Sequence, residues 1–318
     1  MRRLLSVVFV LLLLVGGGLT AFDRLAPHES AALGADLERG LSQLQRYELD
    51  IDGFHIVYLE GGSGDPLVLV HGFGADKDNF TRAARSLTSH YRVIIPDLPG
   101  FGESSKPTNV RYRIQDQVER LDQIMQALGL SDAHFGGSSM GGWIVAAYAA
   151  QYPAKTDSLW LLDPGGVTNA KPSPMIEAYE QTGESPLLAK TPEDFDKVLA
   201  LVMEAPPLLP YGMRRTLGER AAADHDLHAA IFKQLIDDSV PLQDIAPRIT
   251  APTLIVWGDK DRVLDISGGR ILEQLIPGSR LLVMPGIGHL PMLEAPKQAA
   301  ADYLAFRNQL GSTATAAP

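Results

Sequence analysis

Short apolar segments alternate with segments of helical periodicity along most of this chain. The apolar segments are Leu67–Val70, Val93–Ile95, His134–Phe135, Leu159–Leu162, Thr253–Trp257 and Arg280–Met284. The helical patterns are Asn79–His90, Arg113–Leu128, Met140–Tyr152, Ile266–Ile276 and Pro291–Leu310. Strands without a polar face, separated by helices, are typical of a parallel sheet that is buried on both sides. The sequence therefore predicts an α/β fold with a mostly parallel sheet covered by helices on both faces.

Two regions depart from this alternation. Before it, Glu48–Ile51 and Phe54–Leu59 flank Asp52-Gly53, a strong signal for a β-hairpin. Within it, residues 168–243 contain no predicted strand, only helical stretches such as Glu193–Met203. A structureless loop of that length would be unusual in a compact domain. We therefore expect a helical insertion, or cap, over the sheet.

The N-terminus carries an uncharged apolar segment. Arg2 and Arg3 precede Leu4–Phe22, which has 19 residues and is followed by Asp23. A helix needs about 20 residues to cross the core of a bilayer, whereas the apolar part of a cleaved signal peptide has only about 7–15. The two arginines place the N-terminus in the cytoplasm and the rest of the chain on the other side. We expect a retained transmembrane helix; export after signal-peptide cleavage is the alternative.

An amphipathic helix is predicted directly after this span. Leucines recur at helical spacing within Glu29–Arg46, with charged residues between them: Leu33, Leu37, Leu41 and Leu44. Such a helix either packs on its own domain or lies on the lipid surface or in a dimer contact. Gly17 and Ala21 form a small-xxx-small pair in the span, which also permits a homodimer through the N-terminal helices.

These patterns divide the chain into five parts. They are an anchor over 1–24, a juxtamembrane helix over 25–46, a core over 47–167 and 244–310, a cap over 168–243 and a disordered tail over 311–318. With 45% hydrophobic and 21% charged residues, the chain resembles an ordinary globular protein. A net charge of −10 without a Lys/Arg-rich run argues against a nucleic-acid partner. The lack of cysteine excludes disulfides and thiolate chemistry.

A G-x-S-x-G motif at residues 137–141 gives the clearest chemical prediction. It places Ser139 where the strand at His134 turns into the helix that begins near Met140. A nucleophile elbow requires this strand–turn–helix setting. Its glycines are needed because the backbone turns too sharply for a Cβ at the flanking positions. We interpret Ser139 as a nucleophile; a helix N-cap serine is the alternative.

A serine nucleophile needs a base within hydrogen-bond reach and an acid that orients that base. Of the eight histidines, His289 is the candidate base because it follows the last predicted strand, at the carboxyl edge of the sheet. We choose Asp261, beyond the strand that ends at Trp257, as the acid. Asp259 fits a turn residue and Asp265 a helix N-cap. Asp163, which follows the preceding strand, is a further candidate for the acid.

The negative oxygen formed during acyl transfer needs two N–H donors. The Met140 amide follows the nucleophile at a helix N-terminus, and we assign the second donor to Phe73 in the loop 71–74. His71 is expected to shape that loop rather than to act as a base. Leu208 and Leu209 lie in an apolar part of the insertion and are candidate contacts for an acyl chain. No metal or organic cofactor is implied.

Five segments together resemble the α/β-hydrolase superfamily. They are residues 71–78, 97–104, 138–142, 257–262 and 288–289. More narrowly, they resemble bacterial lipases related to membrane-bound monoacylglycerol lipases and inner-membrane phospholipases A, over roughly Tyr47–Phe306. The resemblance implies that the acid is the aspartate before Arg262, which is Asp261. It also implies a single-pass protein of the bacterial inner membrane with a periplasmic catalytic domain.

The expected function is that of a membrane-anchored serine hydrolase that cleaves carboxylic esters of lipids through an acyl-enzyme. The substrate would be of the phospholipase A, lysophospholipase or monoacylglycerol lipase type. A general carboxylesterase, a cofactor-free haloperoxidase and a carbon–carbon bond hydrolase keep the same serine, so these alternatives stay open. A non-enzymatic membrane scaffold fits poorly, because every residue of the catalytic pattern is present.

Overall fold

An eight-stranded sheet forms the centre of the computed structural model, which describes residues 16–315. The strands are β1 (Leu44–Ile51), β2 (Phe54–Gly61), β3 (Pro66–Val70), β4 (Arg92–Pro96), β5 (Ala133–Ser138), β6 (Thr156–Leu162), β7 (Thr253–Gly258) and β8 (Arg280–Met284). Their spatial order is β1-β2-β4-β3-β5-β6-β7-β8. Strand β2 pairs antiparallel with β1 and β4, and the other pairs are parallel. The predicted mostly parallel sheet is confirmed.

Helices cover both faces of this sheet or lie in and around the insertion between β6 and β7. They are α1 (Pro27–Leu41), α2 (Thr81–Ala84), α3 (Ile114–Ala127), α4 (Met140–Gln151), α5 (Pro174–Thr182), α6 (Phe195–Val202), α7 (Tyr211–Ala223), α8 (His225–Asp237), α9 (Leu242–Ile245), α10 (Ser267–Leu275), α11 (Pro291–Glu294) and α12 (Pro296–Thr315). Helices α3, α4 and α10 bury their apolar sides on one face. Helices α2 and α12 bury theirs on the other.

The carboxyl ends of the parallel strands meet at one edge of the sheet. Strand β3 leads there into His71, β5 into Ser139, β6 into Asp163 and β7 into the loop that holds Asp261. His289 follows β8 at the same edge. Since the strands are parallel, residues far apart in sequence come together there, as in other open α/β sheets.

The hairpin before the parallel strands forms as predicted. Ile51 pairs with Phe54, and the two residues between them turn the chain with positive φ, 33° at Asp52 and 83° at Gly53. Both central residues of a type I′ turn have this sign of φ, which is why Asp-Gly favours it.

Several predicted element ends are wrong. The helix predicted over 79–90 is reduced to α2, which is followed by turns such as the bond from Leu87 N–H to the Ala84 carbonyl. The helix predicted over 25–46 ends at Leu41, because Gln43 has a φ of 56° and β1 begins directly after it. Apolar spacing alone does not mark such stops.

The C-terminal helical pattern is divided and longer than expected. It consists of α11 and α12, with Pro296 as the first residue of α12. Proline is accepted at a helix start but not in a helix interior, which explains the break. Helix α12 continues to Thr315, so the tail predicted from residue 311 begins too early. The sequence contains no proline between Pro296 and Pro318 that would end the helix sooner.

The predicted membrane span falls largely outside the described residues. Of Leu4–Phe22, residues 4–15 are not described, and residues 16–22 belong to a helical segment that covers residues 16–25. Between residues 16 and 315, no helix is long and apolar enough to cross a bilayer.

The insertion between β6 and β7 contains helices α5 to α9, and α1 packs against it. Helix α1 approaches α7 closely, since Gly34 faces the Met213 side chain. Asp23, just before α1, accepts hydrogen bonds from the N–H groups of Tyr211 (2.9 Å) and Gly212 (3.0 Å) at the start of α7. On the other side of α1, three leucines of the predicted helix are exposed, Leu33, Leu37 and Leu41, whereas Leu44 is buried at the start of β1. The helix therefore packs on its own chain and still presents an apolar edge.

Candidate active site

Ser139 occupies a strained turn between β5 and α4. Its φ of 53° and ψ of −118° are rare for a residue with a side chain. A Cβ at Gly137 would overlap the carbonyl oxygen of Gly141, and a Cβ at Gly141 would overlap that of Val70. The glycines of the motif are thus required by close backbone contacts. The turn has the strand–turn–helix setting that the sequence predicts, and it presents the Ser139 hydroxyl at the carboxyl edge of the sheet.

His289 is held by Asp261 in an orientation suited to a base. Its Nδ1 donates to Oδ2 of Asp261 at 2.7 Å, and both side chains are almost fully buried. The other carboxylate oxygen of Asp261 accepts from the N–H groups of Val263 (2.7 Å) and Leu264 (3.0 Å). With Nδ1 protonated, Nε2 on the opposite edge of the ring carries the lone pair. His289 and Ser139 line the same cavity, and a base needs its lone pair within hydrogen-bond reach of the hydroxyl.

The other candidate acids make different contacts. Asp259 accepts from the Gly286 N–H at 2.6 Å, which fits the turn role. Asp265 accepts from the Ser267 N–H at 2.8 Å at the start of α10, but the N-cap residue of that helix is Ile266, so the predicted N-cap is one residue early. The hydrogen bond of His289 goes to Asp261, not to Asp163. Asp163, Asp261 and His289 each have one potential ligand atom within 4.8 Å of the other two, which is close enough to share a metal ion. In this structure, Nδ1 of His289 and Oδ2 of Asp261 are hydrogen-bonded directly to each other.

His71 shapes the loop that follows β3. Its Nδ1 donates to the Gly72 carbonyl at 2.8 Å, and its Nε2 accepts from the Leu98 N–H at 3.1 Å. Burial lowers the pKa of His71 to about 4, so the ring is neutral, as one donor and one acceptor require. In a trans peptide, the C=O and the next N–H point in opposite directions. By holding the Gly72 carbonyl, His71 therefore also fixes the direction of the Phe73 N–H.

Two backbone N–H groups beside Ser139 are available to an oxyanion. A Cβ at Gly72 would lie 3.2 Å from the Ser139 Cβ, so the loop that carries Phe73 touches the serine. In the part of the chain that the structure describes, no backbone carbonyl accepts from Phe73. Met140 is the first residue of α4, where N–H groups have no intrahelical acceptor. The arrangement can bind a negative oxygen that lies beside the Ser139 hydroxyl.

A buried cluster of charges, not predicted from the sequence, connects this loop to the cap. The buried Asp76 pairs with Arg220 of α7. Burial opposes the ionisation of Asp76, but Arg220 and Lys77 outweigh it and lower its pKa to about 2. Lys77, also buried, contacts Asp97 at 3.0 Å and Glu103 at 2.5 Å. The motif segments 71–78 and 97–104 contain the other four residues, without an assigned role, but neither contains Arg220.

Two cavities meet at Ser139, which lines both together with Phe73. The larger, of about 570 Å³, extends past His289 between α1 and α7. The smaller, of about 410 Å³, runs beneath the cap between apolar and aromatic side chains: Trp143, Met175, Tyr179, Phe232 and Leu235. A central serine with a cavity on each side can accommodate a substrate that extends in both directions.

The structure separates the two leucines that the sequence analysis chose as substrate contacts. Leu209 lines the larger cavity, and its contact with an acyl chain stays a prediction. Leu208 does not line it, because its side chain is 90% exposed. Successive side chains in an extended segment point to opposite sides, and residues 206–210 have no helical structure. The choice of Leu208 is therefore wrong.

A family model described as the α/β hydrolase fold matches residues 65–200 and 213–296. The chain belongs to the α/β-hydrolase family. It is similar to lipase 1 of Psychrobacter immobilis, with 42% identity over 278 residues that cover 86% of this chain and 87% of the relative. It is also similar to a monoacylglycerol lipase of Mus musculus, with 28% identity over 257 residues that cover 77% of this chain and 76% of the relative.

A solved structure supports the same assignment. A membrane phospholipase A, described as a bacterial virulence factor, superposes with a TM-score of 0.87 and 44% identity, over 97% of this chain and 99% of the other. The resemblance drawn from the five motif segments is thus confirmed. This α/β hydrolase is an enzyme of the serine hydrolase class.

Proposed function

We propose that this α/β hydrolase cleaves carboxylic esters of lipids through an acyl-enzyme on Ser139. The observation that carries the proposal is the position of Ser139 where two cavities meet, the larger of which is also lined by His289, whose ring Asp261 orients. The similarity to lipases and to a membrane phospholipase A supports the lipid substrate. Fold alone would not distinguish this activity from other serine-dependent reactions.

Each step of acyl transfer has a residue suited to it. The Ser139 hydroxyl attacks the ester carbonyl while His289 Nε2 accepts its proton and then protonates the leaving alcohol. Asp261 holds His289 and stabilises the imidazolium. The N–H groups of Phe73 and Met140 bind the oxyanion. Water, deprotonated by His289, then releases the fatty acid and restores Ser139.

The cavities favour an apolar acyl group of medium to long length. Burying one CH₂ contributes about 0.8 kcal/mol, so four further carbons that fit would raise kcat/KM by roughly two powers of ten. The smaller cavity supplies the apolar walls, and the larger leads from Ser139 to Leu209. We expect hydrolysis of monoacyl or diacyl glycerolipids in preference to acetate esters.

A substrate series with two adjacent leucine variants tests this proposal. Leu209→Asp puts a charge into the larger cavity and is expected to lower kcat/KM for long-chain esters at least tenfold more than for acetate, about 1.4 kcal/mol. Leu208→Asp is the matched control and should leave the profile unchanged, because its side chain is exposed. The measurements are kcat/KM for p-nitrophenyl esters of increasing length and fatty-acid release from lysophospholipids, phospholipids and monoacylglycerols.

Other results would identify the remaining candidates. A profile that falls steadily above C4, without release from any lipid, would contradict the lipid proposal and leave a general carboxylesterase. Halogenation, or cleavage of a carbon–carbon bond with no ester hydrolysis, would contradict ester chemistry altogether.

We also propose that the N-terminus holds this hydrolase on a membrane, with the catalytic domain on the side away from the cytoplasm. Support comes from the apolar segment Leu4–Phe22 and from the membrane phospholipase A to which the chain is similar. Further support comes from exposed apolar side chains at and after the end of that segment: Leu25, Leu33, Leu37 and Leu41. Burial of such an edge in the lipid interface would place the larger cavity, partly walled by α1, near the bilayer. A homodimer through these helices stays a prediction.

The membrane proposal predicts a loss that is specific to lipid in bilayers. Replacing Leu33, Leu37 and Leu41 together by serine in the full chain should lower hydrolysis of vesicle lipid at least about threefold, because less apolar area enters the interface. Hydrolysis of p-nitrophenyl acetate should not change. Val283→Ser is the control for an exposed apolar side chain elsewhere. Release of the wild-type protein by carbonate washing, or a mature N-terminus near Ala21, would contradict a retained anchor.

A further inference from the structure

Asp163, which the proposed mechanism does not use, has an unusual position behind the site. It follows β6 with a φ of 44°, although it is not glycine, and its side chain is fully buried. One carboxyl oxygen, Oδ1, accepts from the Gly258 N–H at 2.9 Å. A left-handed backbone at a residue with a side chain costs energy and is kept where the surroundings require it. With this backbone conformation, the Asp163 carboxyl group lies in the protein interior near Asp261.

A carboxyl oxygen of Asp163 lies within 4.8 Å of a carboxyl oxygen of Asp261. No N–H or hydroxyl group of the described residues donates to Oδ2 of Asp163. The neighbouring acidic group is the carboxyl of Asp261, to which Nδ1 of His289 is hydrogen-bonded. Two carboxylates that share a buried site cannot both be ionised, so one of them carries a proton. That proton also provides the donor that Oδ2 otherwise lacks.

The surrounding donors decide which of the two keeps its charge. Asp261 accepts three hydrogen bonds, from Val263, Leu264 and His289, and each stabilises its ionised form. Asp163 accepts one, from Gly258. Burial and the neighbouring Asp261 raise the pKa of Asp163 well above its ordinary value, and Glu294 of α11 adds to this. The proton therefore belongs to Asp163.

We propose that Asp163 is a positioning residue that holds a proton and donates a hydrogen bond from Oδ2 to Asp261. This bond gives Asp261 a fourth donor and fixes its carboxylate against Nδ1 of His289. The bond also delocalises the negative charge of Asp261 and so weakens the electrostatic attraction between Asp261 and the protonated ring of His289. The inference rests on the proposed roles of Asp261 and His289. The groups that face Asp163 and titrate are Asp261, His289 and Glu294.

Two substitutions separate hydrogen-bond donation from mere packing. Asp163→Asn keeps both the acceptor and a donor, and asparagine tolerates a left-handed backbone. Its kcat/KM should stay within about threefold of wild type, whereas Asp163→Ala should lose about 10- to 100-fold, as loss of an outer partner of a catalytic group does. In the alanine variant the acidic limb of the pH profile of kcat/KM should move to higher pH, because an undispersed Asp261 charge stabilises protonated His289. Asp157→Asn on the same strand is the control.

Infrared spectroscopy tests the proton directly and does not depend on activity. At neutral pH the wild-type protein should show the C=O stretch of a buried protonated carboxyl group. The band should vanish in Asp163→Asn and persist in Asp157→Asn. Because asparagine replaces aspartate with little change in shape, this test still holds if Asp163→Ala fails to fold.

Three results would overturn the proposal. They are the lack of such a band, an Asp163→Ala variant with wild-type kcat/KM and pH profile, and a folded Asp163→Asn variant as impaired as a variant of Asp261. The last would make Asp163 an ionised acid of the site. Failure of the proposed function is recognised separately, because an active Ser139→Ala variant would refute the mechanism and leave the infrared result standing.

Discussion

Replacing Ser139 by alanine is expected to lower kcat for ester hydrolysis by about four to six powers of ten, because the nucleophile and its base act only as a unit. The fold should not change, since alanine adds no atom to the strained turn at Ser139. Residual hydrolysis would come from the oxyanion site and substrate binding. The measurements are kcat, the thermal unfolding midpoint and covalent labelling by a fluorophosphonate, located by mass spectrometry.

Ser138→Ala is a matched control for this experiment. Ser138 is the adjacent residue and is buried, and its hydroxyl makes no hydrogen bond within the described residues. Removing that hydroxyl should not lower kcat, because no interaction is lost. Labelling of a residue other than Ser139, or an active Ser139→Ala variant, would contradict the proposed nucleophile.

The sequence predicted the features that depend on local geometry. The turn at Ser139 needs Gly137 and Gly141 because their neighbours are backbone atoms of the same elbow and of the adjacent strand. Asp52-Gly53 specifies a two-residue hairpin turn for a similarly local reason. The apolar strands specify a parallel sheet, and that topology brings the loops of β5, β7 and β8 to one edge. The candidate site follows from these rules.

Features that depend on contacts between distant segments could not be predicted. The pairing of Asp76 with Arg220 joins residues 144 positions apart, and neither local sequence indicates the other. Leu208 is exposed and Leu209 lines a cavity because of the path that the chain takes into α7. Sequence periodicity does not predict which side chain of an irregular segment points inward. The contact of Asp163 with Asp261 likewise required the order of β6 and β7 in the sheet.

Asp261→Asn tests the acid most directly and is expected to lower kcat by about four powers of ten. The asparagine carbonyl would keep the bonds from Val263 and Leu264, so its NH₂ group would face Nδ1 of His289. Nδ1 would then have to accept that hydrogen bond, and the ring proton would move to Nε2. A histidine with a protonated Nε2 cannot take the proton of Ser139.

A second aspartate in the same loop controls for the loss of a carboxylate as such. Among the described residues, the Asp259 carboxylate accepts a hydrogen bond from the Gly286 N–H and lies 3.8 Å from the Lys260 ammonium, so Asp259→Asn should change kcat by less than about threefold. Measuring kcat from pH 5 to 9 for both variants, with unfolding midpoints, separates catalysis from stability. A nearly active Asp261→Asn combined with an inactive Asp163→Asn would assign the acid to β6. The geometry argues against that outcome, because the 2.7 Å bond of His289 Nδ1 goes to Asp261.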